Sequence, residues 1–195
     1  MSPLHDPIDR LYERLLVLRC QTGDESAFAE LVGRYQPRLR RFLGRMLAGD
    51  EHAAEDALQD VWLDVFRSVG KLRDLGAFAG WLWRIARDRA HRVLRRRGVS
   101  IGEIEDAVDL IDPVAGDDAE IAADEKEQLH GSLDRLPPAQ REVLLLRFVE
   151  ELSYEQIAAV VGCELGTVRS RLHYAKRALR DAIGERNNGH DQHGQ

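Results

Sequence analysis

The sequence predicts an all-α fold of two small helical domains joined by an acidic linker. Three observations carry this prediction. Apolar residues recur at the helical period wherever a pattern is present. A strongly acidic run breaks that pattern near the middle of the chain. After it come a short apolar helix, a glycine turn and a longer helix. The 195 residues leave room for one ordinary domain or two small ones. A hydrophobic content of 44% with only six prolines excludes wholesale disorder and collagen-like repeats. No apolar run approaches the roughly 18–20 residues of a membrane span. The first twenty residues lack the basic start and cleavage site of a signal peptide. Cys20 and Cys163 are far apart with no ligand spacing, so a disulfide scaffold or cysteine zinc site is not expected. The expected location is the cytoplasm, without membrane insertion.

The N-terminal domain is expected over residues 8–97. A first helix covers about 8–21, and Thr22-Gly23-Asp24 stops it and starts the next. A second helix runs over about 25–46, with Pro37 placed to kink or split it. Asp50-Glu51-His52 opens a third. There Ala57, Leu58, Val61, Trp62, Val65, Phe66 and Val69 make an apolar face. Glu55, Asp56, Gln59, Asp60, Leu63 and Asp64 fall opposite. Acids near a helix start are stabilised by the macrodipole, so this face reads either as a solvated one or as a docking surface for a basic partner helix. A loop over 68–77 carries Lys71 and Arg73.

The next helix has an apolar stripe of Phe78, Trp81, Leu82, Ile85, Ala86, Val93 and Leu94. Between Arg84 and Arg97 it also holds seven arginines (with Arg87, Arg89, Arg92, Arg95 and Arg96) against one acid, Asp88, and includes His91. So lopsided a set repels itself and points to a polyanionic partner. Trp83 falls off the stripe beside Arg84 and Arg87. It either stacks on an unpaired base or packs against a neighbouring helix.

The overall charge of −6 hides an asymmetry. From Gly102 to Glu127 there are eleven carboxylates and one lysine, a net of −10, so the remainder of the chain nets +4. Residues 98–128 read as a flexible acidic linker. The second domain is expected over 129–186, with a disordered polar tail at 187–195. Leu136-Pro137-Pro138 stops one helix and opens another with proline in the first turn. Ser153 and Gln156 have capping-box spacing. Gly162-Cys163-Glu164 makes a turn between two helices, which is the helix-turn-helix pattern. The exposed side of its second helix carries Thr167, Arg169, Ser170, Arg171, His173, Lys176 and Arg177, residue types that reach phosphates and base edges. The chain has no phosphate-cradling glycine loop, metal-protease motif or nucleophile elbow. No enzyme activity, cofactor or metal is expected.

AEDALQDVWLDVF (54–66), FAGWLWRIARDRAHRVLRRR (78–97) and the stretch from LPPAQREVLLLRF to SRLHYAKRAL (136–179) resemble the extracytoplasmic-function group of bacterial RNA polymerase sigma factors. CQTGDESAFAELVGRY (20–35) does so too. The resemblance implies sigma domains two and four. It implies that Glu55, Asp56, Gln59, Asp60 and Leu63 dock on core RNA polymerase. It implies that Lys71, Arg73, Trp83, Arg84, Arg87, Asp88, His91, Arg92 and Arg95 face the minus-ten element of promoter DNA, where a non-template base is flipped out. It implies that Thr167, Arg169, Ser170, Arg171, His173, Lys176 and Arg177 face the minus-thirty-five element. An anti-sigma factor is the further partner implied. Asp88 stands where the group often has Asn, Glu164 where it has Ser or Pro, and Arg73-Asp74-Leu75-Gly76 lacks a common Glu-Ser pair. The alternative reading is a stand-alone helix-turn-helix regulator. The basic helix outside the motif and the absence of an obvious dimer helix oppose it.

Overall fold

The computed structural model describes residues 7–99 and 133–190, and all regular structure among them is helical. The chain falls into two units that divide near residue 100. The acidic stretch from 101 to 132 lies outside the described residues, as do 191–195.

The first unit holds α1 (Pro7–Gln21), α2 (Glu25–Met46), α3 (Glu51–Ser68) and α4 (Phe78–Arg96). Two single turns of 3₁₀ helix, Val69–Lys71 and Leu75–Ala77, lie between α3 and α4. The α1–α2 corner is fixed by Asp24. One of its carboxylate oxygens accepts from the backbone N–H of Ser26 and Ala27, at 2.9 and 3.1 Å, and the other accepts from Arg19. The bond from the Ser26 hydroxyl, then those from Ala27 N–H and Arg19, hold the Asp24 carboxyl far below the ordinary carboxylate range. Asp50 caps α3 in the same way through Ala53. Pro37 does not split α2. It and Gly33, whose carbonyl loses its helical donor, both lie on the exposed side, where water can replace the bond.

Leu16, Leu31, Leu39, Phe42, Leu58, Val61 and Leu82 fill the core between these helices. Tyr35 is buried among them, and its hydroxyl donates to the buried carboxylate of Glu13. Burial pushes the Glu13 pKa up, against the opposing pull of the Tyr35 bond and of Arg34, Arg38 and Arg14. One member of the expected α3 stripe is out of place. Phe66 is exposed, with its ring edge-on to Phe28 at the rim rather than in the core.

A charged bridge ties α3 to α4. Arg89 Nε donates to Asp64 Oδ2 at 2.7 Å, and Arg89 Nη1 donates to Asp60 Oδ2 at 2.8 Å. The Arg89 side chain is only 17% exposed, so the bridge is partly shielded from water.

The second unit holds α5 (Pro138–Leu144), which continues into a π-helical turn over Leu145–Val149, then α6 (Tyr154–Val161) and α7 (Leu165–His190). The expected capping box is present: Ser153 N–H donates to Gln156 Oε1 at 2.8 Å, and Gln156 N–H donates to Ser153 Oγ at 3.2 Å. Gly162 ends α6 at φ +72°, and Cys163 N–H then reaches back to the Ala158 carbonyl. That left-handed glycine cap is the turn of the helix-turn-helix. Arg141 is buried and donates to the carbonyls of Leu133, Asp134 and Leu136, so α5 holds the segment that leads into it. Val168, Leu172, Ala175 and Leu179 are the buried side of α7. Helix α7 runs on to His190. Nothing in that stretch removes a backbone donor as proline would.

Two measurements test this packing. Arg89→Ala strands two carboxylates on α3 and should cost about 1–3 kcal/mol, discounted for the partly open site. All three tryptophans lie in the first unit, so urea unfolding followed by their fluorescence reads it directly. An unchanged midpoint would remove Arg89 from the set of packing contacts. The second test concerns Glu13. Its raised folded-state pKa means that the folded protein holds this proton more tightly than the unfolded chain. Its contribution to stability is therefore greatest below the ordinary glutamate range and falls as pH rises through the shifted value. The stability of wild type minus that of Glu13→Gln should decline with pH over that window. A flat difference would contradict the burial effect.

Candidate functional site

Helix α3 presents its acids in two directions. Asp56, Gln59, Asp60 and Leu63 occur three and four residues apart and are exposed on one outer face. Glu55 points elsewhere. Its two carboxylate oxygens accept from Arg40 on α2, at 3.1 and 3.2 Å. Asp60 is half exposed even while it holds Arg89. The outer face therefore combines a leucine, 49% exposed, with carboxylates around it. Such a mixture suits a partner helix that brings apolar and basic side chains together.

The arginines of α4 are also divided. Arg89 belongs to the α3 bridge, and Arg97 pairs with Asp50 at the start of α3. Arg87 is half-buried and lies 3.2 Å from Asp88. Arg84, Asp88, Arg92, Arg95 and Arg96 are exposed. A groove of about 230 Å³ runs between the two helices, with Asp56 and Asp60 on one wall and Arg92, Val93 and Arg96 on the other.

Trp83 and His91, which the resemblance turns toward promoter DNA, lie inside the unit, Trp83 in the way its packing alternative expects. Trp83 is 1% exposed, packed edge-on to Phe42 at 5.4 Å between ring centres, with the Arg38 guanidinium over its ring. His91 is likewise buried. The reason is that α4 packs against both α2 and α3. A helix with two neighbours buries a wider arc than a single apolar stripe. Trp83 and His91, eight residues apart, lie on the added edge.

The 68–77 loop is exposed at Lys71 and Arg73. Its path is fixed by a residue the sequence reading passed over. Gln21, at the end of α1, donates from Nε2 to the carbonyls of Val69 and Leu72, at 3.0 and 2.7 Å. Asp74 then accepts from Gly76 N–H at 2.8 Å and starts the second turn. A glutamine just before a turn carries no sequence signal of this kind, because its acceptors are 48 and 51 residues away.

On α7, Arg169, His173 and Arg177 are exposed at four-residue spacing, away from the buried side. Thr167, Ser170 and Arg171 are half-buried, and the Ser170 hydroxyl donates to the Thr167 carbonyl. Lys176 lies over the Phe148 ring at 5.4 Å. Among the described residues no cluster of His, Cys, Asp or Glu could hold a metal ion, and no helix is long and apolar enough to cross a membrane.

The two units correspond to two family models, Sigma-70 region 2 over residues 31–99 and Sigma-70, region 4 over residues 126–179. The chain is 39% identical over 174 residues to the ECF RNA polymerase sigma factor SigE of Mycolicibacterium smegmatis. That match covers 84% of this chain and 65% of the relative, so the chain spans about two-thirds of that protein's length. It is 34% identical over 181 residues to the RNA polymerase sigma-H factor of Pseudomonas aeruginosa, covering 88% of this chain and 93% of the relative. Among solved structures, CnrH in complex with the cytosolic domain of CnrY shares the fold, with TM-score 0.67 and 22% identity over 89% of this chain and 97% of that one. The sigma factor RpoE of Bartonella quintana, in complex with the anti-sigma factor NepR, aligns with TM-score 0.61 and 26% identity over 80% of this chain and 96% of that one. With an acid-faced helix and an arginine helix in one unit, a helix-turn-helix in the other, both family models matched, and 30% identity over 96% of the ECF RNA polymerase sigma-E factor of Escherichia coli, the chain belongs to the extracytoplasmic-function sigma factors of bacterial RNA polymerase.

Proposed function

We propose that this chain directs core RNA polymerase to a set of promoters, with residues 8–97 as sigma domain two, 98–128 as the linker and 129–186 as sigma domain four. The observation that carries the reading is the separation of charge in the first unit. Asp56, Gln59, Asp60 and Leu63 share one exposed face of α3, while Arg84, Arg92 and Arg95 are exposed on α4. One face suits a protein partner and the other a nucleic-acid backbone.

The first face docks on core polymerase. Arg84, Arg92 and Arg95, with Lys71 and Arg73 of the loop, contact the minus-ten element. Arg87 and Asp88 border this surface as a pair. Base capture costs a few kcal/mol of lost stacking, and phosphate contacts along α4 offset part of it. The helix-turn-helix sets the N-terminal half of α7 in the major groove of the minus-thirty-five element. Arg169, His173 and Arg177 point outward, and Thr167, Ser170 and Arg171 sit at its edges. Lys176, held against Phe148, reaches a phosphate more readily than a base. The protein performs no bond chemistry; it supplies binding energy and position, and polymerase supplies catalysis in the cytoplasm. An anti-sigma factor that covers these faces is the expected negative regulator.

The deciding experiment is run-off transcription from a pool of bacterial genomic promoters, with core polymerase alone and with this protein added. New start sites that share two spaced upstream elements support the reading. No new transcripts, together with duplex binding by the protein alone, would favour a stand-alone regulator.

Two substitutions refine it. Asp56→Arg reverses charge on the docking face without touching the Arg89 bridge, and should weaken core association at least about tenfold. Asp60→Arg is a poorer test, because it sets two guanidinium groups against each other. Unchanged co-elution of Asp56→Arg with core polymerase would remove this face from the interface. Arg169→Ala should weaken recognition of the upstream element by about 1–3 kcal/mol at one base position. Competition between promoters varied at single positions reads that loss, and unaltered preference would take Arg169 out of base readout.

A further inference from the structure

Helix α1 is apolar on two sides. Its inner side, with Leu16 and Val17, packs into the unit. Its outer side exposes Ile8, Leu11, Tyr12, Leu15 and Leu18, at 75%, 67%, 37%, 48% and 48%. These residues recur at three- and four-residue spacing and form a continuous stripe of three turns. A stripe of this kind on an exposed helix marks an interaction surface.

With Leu75 from the 68–77 loop the stripe lines an open groove of about 450 Å³. A ridge of side chains from another helix can seat along it. The two borders of the stripe differ in charge. Toward α2 the charges are used internally: Asp9 pairs with Arg34, Arg19 with Asp24, and the Tyr12 hydroxyl donates to Glu30. On the other border Arg10 and Arg14 are exposed, with the Asp74 carboxylate also beside Gly76 near Arg14. The Arg14 guanidinium lies against Gly76 of the loop, where a Cβ would come within 2.8 Å of it.

We propose that the outer face of α1, together with Leu75, is a docking groove for an amphipathic helix of a partner protein that carries carboxylates beside its apolar stripe. Two basic side chains on one border select acids over bases in that helix. A second copy of this chain, packed antiparallel through the same face, would set Arg10 and Arg14 against their own counterparts. The groove is separate from the α3 face assigned to core polymerase. It adjoins the loop assigned to the minus-ten element, so an occupant would brace that loop through Leu75 and Arg14.

The test uses the full chain and two labelled synthetic amphipathic peptides. They share one leucine stripe and differ only in having glutamates or lysines beside it. Fluorescence anisotropy should give binding of the glutamate peptide at least about tenfold tighter than the lysine peptide. Leu11→Glu with Leu15→Glu should remove that binding, and Arg10→Glu with Arg14→Glu should reverse the preference. The substituted positions are exposed, and circular dichroism checks that the variants fold. Equal binding of both peptides, or binding that survives the Leu11 and Leu15 changes, would overturn the proposal. So would concentration-dependent dimers in sedimentation that the same changes abolish, or capture of wild type but not the variant by anionic lipid vesicles. Neither pair of substitutions touches residues assigned to core or promoter contact. Run-off transcription by the leucine variant therefore tests the sigma reading separately.

Discussion

The guanidinium of Arg89 lies between Asp60 and Asp64, and the orientation of both working faces of the first unit depends on that arrangement. The bridge fixes α4 in rotation against α3. Asp60 and Asp64 hold the edge of α3 that meets α4, and Asp56 and Leu63, four and three residues from Asp60, continue the same side of the helix as the outer face beside the bridge. Once Arg89 turns toward α3, Arg84, Asp88 and Arg95 fall on the far side of α4. Apolar packing alone fixes helix rotation loosely, because neighbouring leucines can exchange roles. A cation held by two carboxylates has far fewer acceptable positions. The cost is a half-exposed Asp60 that serves the bridge and the outer face together.

The second unit is organised on a different constraint, the satisfaction of backbone groups at helix ends. Arg141 closes three carbonyls before α5, the Ser153–Gln156 box closes the start of α6, and Gly162 turns the chain into α7. Each leaves few free backbone donors or acceptors near a turn. The result is a short mount for a long helix, which on the proposed reading lets α7 enter a groove at a set angle.

The helices of both units were legible in the sequence because their apolar periods are regular and their caps are local. Asp24, Asp50 and the Ser153–Gln156 box sit within three residues of what they cap. The misplacements share a cause. Trp83 and His91 look like surface residues when α4 is given one apolar stripe, and only the presence of two neighbouring helices widens its buried arc. Phe66 fits the α3 stripe by spacing, but α3 ends near the rim and the ring finds Phe28 instead of the core. The Gln21 bonds to the loop and the Arg89 bridge are invisible locally, since each joins groups whose proximity the fold creates. The outward stripe on α1 is hidden in the sequence for a further reason. Leucines at helical spacing read as core unless the core is already known to be filled from the other side.

The division of the arginines bears on how such a protein would meet DNA. Seven arginines on one helix suggest a strong polyanion binder, but Arg89, Arg97 and Arg87 lie against Asp60 and Asp64, Asp50 and Asp88. Duplex affinity scales with the phosphates actually neutralised, at a slope of about −0.9 per contact in log salt. Arginines held by internal carboxylates release few counterions, and the −10 stretch that follows α4 in sequence opposes any polyanion nearby. On the proposed reading the isolated chain binds promoter DNA weakly. Its contacts become useful when core polymerase holds the DNA and raises its effective concentration at the α4 surface. Weak intrinsic binding is then part of specificity. On that reading, the protein would read a promoter only where the enzyme that can use it is already present.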